Sequence, residues 1–201
     1  MTGGAKLTQP GAAQPWSIVP CIRDDHVFLP PRRHTVPISF QEFRLRPATI
    51  HDVSTILRCI RGLAEYERLT HECKATDALL EASLFGVSPA AEVTLAFAGD
   101  EPAGFALWFR SYSTFLAKPG LYLEDLFVFP EFRGRGLGKK LLGSLARTVI
   151  ERGYGRLEWA VLDWNTDAIG FYKSLGAQPM SEWTTYRVSA DALRILSDSA
   201  T

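Results

Sequence analysis

The pattern of apolar and polar positions divides the chain into short elements of two periods. Phe43-Arg44-Leu45-Arg46 alternates and predicts an edge or half-buried strand. Thr49-Ile50-His51-Asp52 reads as a capping box, and the helix it opens carries Val53, Ile56, Leu57, Ile60 and Leu63 on one face. A shorter helix is predicted from Asp77 to Leu84. Glu92 to Ala98 and Gly104 to Phe109 read as strands joined at Gly99-Asp100, a hairpin signal. A strand-like run from Leu121 to Phe129 precedes a helix in which Leu137, Leu141, Leu142, Leu145 and Val149 recur at three- and four-residue spacing. Arg156 to Val161 is a further strand, and Asn165 to Leu175 a helix stopped at Gly176. A last strand near residues 185–188 leads to a short helix from Asp191. Strands alternating with helices in this order predict an α/β fold with a mixed sheet flanked by helices.

Residues 1–41 follow neither period. They hold six of the twelve prolines (Pro10, Pro15, Pro20, Pro30, Pro31 and Pro37) and read as a flexible extension ahead of a domain over residues 42–201. The 22 basic and 22 acidic residues cancel, so no global field draws the chain to nucleic acid or a membrane surface. Cys21, Cys59 and Cys73 are odd in number and lack metal-type spacing, so no metal site is expected. Cys59 falls within an amphipathic helical run and reads as a small core residue. No apolar stretch is long enough to cross a bilayer and no secretory signal pattern is present, which together predict a cytoplasmic setting.

Candidate chemistry concentrates at Arg133-Gly134-Arg135-Gly136-Leu137-Gly138-Lys139-Lys140, between a strand and a helix. Glycines at such a junction let backbone N–H groups gather around an anion at the positive end of the helix. A phosphate-bearing ligand is the natural reading, with a ligand-free glycine turn as the plain alternative. A dinucleotide fingerprint needs Gly-x-Gly-x-x-Gly, but the glycines at 134, 136 and 138 place the last one residue early. A Walker loop needs Ser or Thr after Gly-Lys, and Lys140 stands there.

Arg-x-x-Gly-x-Gly at Arg133, Gly136 and Gly138 instead resembles the pyrophosphate loop of the GCN5-related N-acetyltransferases. The resemblance spans about residues 43–197 and implies that family's fold, with a splayed central strand pair, and acetyl-coenzyme A as cosubstrate. It implies a cofactor site made of the main chain of Leu126, Phe127 and Val128, the loop Arg133, Gly134, Arg135, Gly136, Leu137, Gly138 and Lys139, and Asn165 in Asp163-Trp164-Asn165. Tyr172 in Phe171-Tyr172 would protonate the departing thiolate, though a tyrosine on an amphipathic helix is commonly core. Glu124 would take the amine proton. Two adjacent carboxylates, Glu124 and Asp125, inside an apolar strand are not explained by burial alone.

Tyr66 and Glu67 in Leu63-Ala64-Glu65-Tyr66-Glu67 match the position at which the diamine acetyltransferases hold the distal ammonium; a solvated helix end competes with that role. Tyr112-Ser113-Thr114-Phe115-Leu116-Ala117-Lys118-Pro119 lacks the aspartate and tryptophan of the polyamine branch. It looks more like the thialysine branch and the plant-type diamine or ornithine acetyltransferases. A small diamine or diamino acid is the implied substrate, and a homodimer is implied with it. A protein or peptide amine, and a coenzyme A-binding module without catalysis, stand as alternatives.

Overall fold

The computed structural model describes residues 42–200. The extension read over residues 1–41 lies outside the described residues. Five strands form one sheet in the order of the chain: β1 (Phe43–Pro47), β2 (Glu92–Ala98), β3 (Glu101–Ser113), β4 (Lys118–Val128) and β5 (Leu157–Trp159). The first four run antiparallel, and β5 lies parallel to β4. The α/β class and the mixed sheet are therefore as the periods indicate.

Helix α1 (Val53–Tyr66) begins where the Thr49–Asp52 capping box forms. The Thr49 N–H and hydroxyl both donate to Asp52 Oδ2, at 2.7 and 2.9 Å. Arg46 grips the same carboxylate with two nitrogens at 2.7 Å each, tying β1 to the start of α1. The guanidinium, and then the Thr49 donors, hold the Asp52 carboxyl well below the usual carboxylate range.

Two apolar clusters occupy opposite faces of the sheet. On one, Val53, Ile56, Leu57 and Cys59 of α1 and Leu80 and Leu84 of α2 (Asp77–Phe85) pack on Val93, Leu95, Phe97, Phe105 and Phe127. On the other, Leu137, Leu141, Leu142 and Leu145 of α3 (Leu137–Glu151) pack on Ala96, Ala106, Trp108, Leu121 and Leu123. Full burial of a leucine side chain stabilises by roughly 1.5–3 kcal/mol, so these stripes fix which face each helix covers. Cys59 is wholly buried and its thiol is pushed up to about 12, which suits a core residue and not a nucleophile.

Several boundaries differ from the sequence reading. β3 starts at Glu101, so the β2–β3 hairpin turns on Gly99-Asp100 alone, with Ala98 opposite Glu101. β5 is limited to Leu157–Trp159, and α4 runs from Thr166 to Ser174. The strand expected near residues 185–188 does not form. A strand needs an edge to pair with, and β5 offers only three residues; Tyr186 and Val188 stay exposed ahead of α5 (Asp191–Asp198).

Candidate active site

A split in the sheet creates the site. β4 pairs with β5 only at Leu121, Tyr122 and Leu123. From Glu124 to Val128 it keeps β3 on one side, and its other edge has no strand partner among the described residues. Backbone groups on such an edge can accept an extended ligand as an added strand. Leu126 and Val128 lie on this one-sided stretch. The Phe127 ring is buried and packs edge-on against Phe129 at 5.0 Å, so only its main chain borders the open edge.

A bulge sits at the same place. Trp108 lies opposite Leu123 and Leu107 opposite Asp125, which leaves Glu124 as the extra residue. Asp125 thereby shares the sheet face of Leu107 and Phe127, the face covered by α1. Its carboxyl is pushed up to about 6, first by desolvation and then by the charges of Glu124 and Glu67. Glu67 caps the C-terminus of α1, half-buried, and its own acidity is weakened by desolvation. Glu124 is exposed. Sequence reasoning noted both carboxylates but gave a role to Glu124 alone, because the parity of side chains beyond a bulge cannot be counted from the sequence.

The end of β4 leads through a single helical turn, Pro130–Phe132, into the glycine loop. Gly134 and Gly136 adopt φ of +70° and +79°, conformations open to glycine at little cost. Gly136 is the N-cap of α3, and the first bond of the helix runs from Lys140 N–H to Gly136 O. The N–H groups of Leu137, Gly138 and Lys139 therefore have no acceptor within their own helix. The Leu137 side chain is core, Gly138 faces Phe171, and Lys139 is exposed.

The arginines are placed otherwise than a simple phosphate clamp. Arg133 donates from Nε to Val128 O at 2.9 Å and lies 4.7 Å over the Tyr66 ring. Arg135 lies 5.0 Å over the ring of Phe43.

Across the split, Tyr172 of α4 packs against Trp159 at 5.0 Å and Phe171 at 5.4 Å between ring centroids. Burial, then Tyr66 and Glu67, raise its phenol above the ordinary value, so it stays protonated. Asn165 caps α4 through Oδ1, which accepts from Ala168 N–H at 3.3 Å and from the Tyr66 hydroxyl at 3.2 Å. Tyr66, Glu67, Asp125, Arg133, Asn165 and Tyr172 thus converge from α1, β4, the glycine loop and α4.

A recess of about 280 Å³, lined by Gly62, Tyr66, Phe127 and Arg133 among others, opens beside this group. A wider groove of about 620 Å³ between α3 and the β1–β2 edge lies away from it. There Arg46 is held by Asp52, and Lys140 by the Phe43 carbonyl and Glu42.

Residues 57–177 match the model of the acetyltransferase (GNAT) family. The chain is 34% identical over 208 residues to the L-ornithine N5-acetyltransferase NATA1 of Arabidopsis thaliana, covering 81% of this chain and 91% of that one. It is 39% identical over 163 residues to the thialysine N-epsilon-acetyltransferase of Bos taurus, covering 76% and 95%. Among solved structures, the integron cassette protein VCH_CASS6 from the mobile metagenome of V. cholerae superimposes with a TM-score of 0.66 at 26% identity, covering 77% of this chain and 97% of that one. The aminoglycoside acetyltransferase meta-AAC0020, from an uncultured soil metagenomic sample, shares the fold with a TM-score of 0.63 at 18% identity, covering 73% and 97%. A split sheet, a glycine loop before α3 and these relatives agree: the chain belongs to the acetyltransferase (GNAT) family and is an N-acetyltransferase.

Proposed function

We propose that the enzyme transfers an acetyl group from acetyl-coenzyme A to the terminal amine of a small diamine or diamino acid, by direct attack in a ternary complex. Ornithine, thialysine, putrescine and diaminopropane are the substrate types. The observation that carries this reading is the convergence of half-buried acids, Asp125 and Glu67, with Tyr172 at the split between β4 and β5. The names of the ornithine and thialysine relatives support the same substrate class.

The residues present suit a coenzyme A thioester. The open edge at Leu126 and Val128 takes the amide groups of its arm, and the first-turn N–H groups of α3 take the pyrophosphate. Arg133, Arg135 and Lys139 supply charge around it, with Asn165 at the cap of α4.

A side-chain amine of pKa ~10.4 is almost wholly protonated at pH 7, and freeing it costs about 4–5 kcal/mol. Glu124, directly or through water, accepts that proton. Asp125 beside it has a proton affinity near the working pH and shares the load. The amine nitrogen then bonds to the acetyl carbon and the carbon–sulfur bond breaks; Tyr172 gives its proton to the thiolate, and the second proton that the nitrogen sheds on becoming an amide restores the phenol. Tyr66 and Glu67 hold the second cationic group and fix register.

Exposed Trp183, Tyr186, Ile195 and Leu196 on the C-terminal segment fit a second copy of the chain, and the enzyme acts as a homodimer. Its setting is the reducing cytoplasm, in keeping with the free thiols Cys59 and Cys73. No metal, nucleic acid or membrane takes part.

The test is an amine panel (ornithine, thialysine, putrescine and 1,3-diaminopropane, with a lysine peptide as contrast) assayed for coenzyme A release. Acetylation of one or more small amines, with the peptide far slower, is expected. Preference for the peptide, or cofactor binding with no turnover, would overturn the reading.

A further inference from the structure

Tyr66 meets three residues of the site at once. Its hydroxyl reaches Asn165 Oδ1 at 3.2 Å, although 99 residues separate the two. Its ring lies 6.2 Å from Trp164, and its face carries the Arg133 guanidinium at 4.7 Å. Arg133 in turn donates to Val128 O on the open edge of β4. One side chain at the last position of α1 therefore bridges the glycine loop and the cap of α4, and its neighbour in the chain is Glu67.

A guanidinium stacked on a ring keeps its edge donors for a carboxylate or phosphate. Only Nε is committed to Val128, so the terminal nitrogens of Arg133 can pair with a pyrophosphate while the plane stays on Tyr66. An anion in the loop then fixes the ring, the ring fixes the end of α1, and Glu67 is set for a cation. The hydroxyl bond to Asn165 adds a second tie on the far side of the split. We propose that Tyr66 is a positioning residue that couples the two half-sites, so that a coenzyme A molecule in the cleft tightens binding of the amine.

Coupling free energies are reciprocal, so the amine must tighten coenzyme A by the same factor. This inference rests on the acetyl-transfer reading given above. The experiment therefore begins by selecting, from the four small amines of the panel, the one acetylated with the highest kcat/KM. Calorimetry then measures its Kd with and without saturating coenzyme A, which carries no acetyl group and cannot react, and the Kd of coenzyme A with and without the amine. The expected factor in the native protein is about fivefold or more, equal in both directions. Tyr66→Phe keeps the ring and reduces the factor; Tyr66→Leu, checked for fold by its thermal midpoint, brings it to about one. A purely structural role would shift both affinities or the midpoint and leave the factor unchanged. A factor of one in the native protein, or an undiminished factor in Tyr66→Leu, overturns the coupling alone. Absence of acetyl transfer to every small amine overturns the coupling and the proposed function together.

Discussion

Leu123 and Asp125 stand two residues apart on β4, yet their side chains lie on opposite faces of the sheet. Leu123 joins the cluster under α3, whereas Asp125 lies opposite Leu107, which packs on the α1 side. Residues i and i+2 of a regular strand share a face. The extra residue, Glu124, breaks that rule and turns the Asp125 carboxylate to the α1 face, where the charge of Glu67 reaches it.

That geometry makes Asp125→Asn a stabilising and disabling change. The folded carboxyl titrates at about 6, above its ordinary value, so the native state binds the proton more tightly than the unfolded chain. Below pH ~4 both states are protonated and the variant gains nothing. As pH rises through the folded value the ionised group opposes folding, and above about pH 7 the variant is expected to be more stable by about 3 kcal/mol. At the same pH its kcat/KM falls, by about tenfold or more. Denaturant midpoints at pH 4 and pH 8 check the sign; a variant less stable than the native protein at pH 8 would refute the assignment.

Tyr172→Phe tests the proton donor. Burial keeps the phenol protonated throughout the neutral range, so the native enzyme is expected to hold its activity until well into alkali. Removing the hydroxyl lowers kcat by roughly 10²-fold and leaves the Kd of coenzyme A within about twofold. Rapid-quench and binding measurements separate the two effects. Unchanged kcat would assign the proton to another group.

Gly136→Ala isolates backbone conformation from sterics. A Cβ there would meet nothing within 4 Å, so the φ of +79° is the only obstacle. An alanine in that region costs about 1–2 kcal/mol. Coenzyme A binding is expected to weaken about tenfold as the N-cap of α3 shifts away from its positive φ. Equilibrium dialysis with labelled coenzyme A reads the change, and native affinity in the variant would mean the loop does not hold the pyrophosphate.

The C-terminal segment makes a prediction about assembly. Trp183 and Tyr186 are 70% and 89% exposed, an unusual state for large aromatic residues at rest in solution. Multi-angle scattering on the native enzyme is expected to give twice the mass of the chain. The double change Trp183→Ser and Tyr186→Ser shifts the distribution toward monomer. A monomeric native enzyme would remove the homodimer from the proposal.

Most of this fold is legible in the one-dimensional pattern. Buried Leu137, Leu141, Leu142 and Leu145 repeat the helical spacing, and the alternation of Val93, Leu95 and Phe97 marks the face of β2 under α1. The glycine loop is equally legible, because its backbone conformation is one that its own glycines allow. Local chemistry also fixed the capping box at Thr49 and Asp52, whose donors and acceptor lie three residues apart.

Tertiary structure alone decided what spans the gaps. The bulge at Glu124 depends on how β4 registers against β3, and register is a relation between two strands that neither carries by itself. The same holds for the parting of β4 from β5 after Leu123 and for Arg133 lying on Tyr66. The missing strand near residues 185–188 shows the converse, since a β-prone run forms no strand unless packing brings it to an edge. Local spacing sets periods, caps and turns because their energies act between neighbours along the chain; the site arises where distant segments meet, and only packing chooses those meetings.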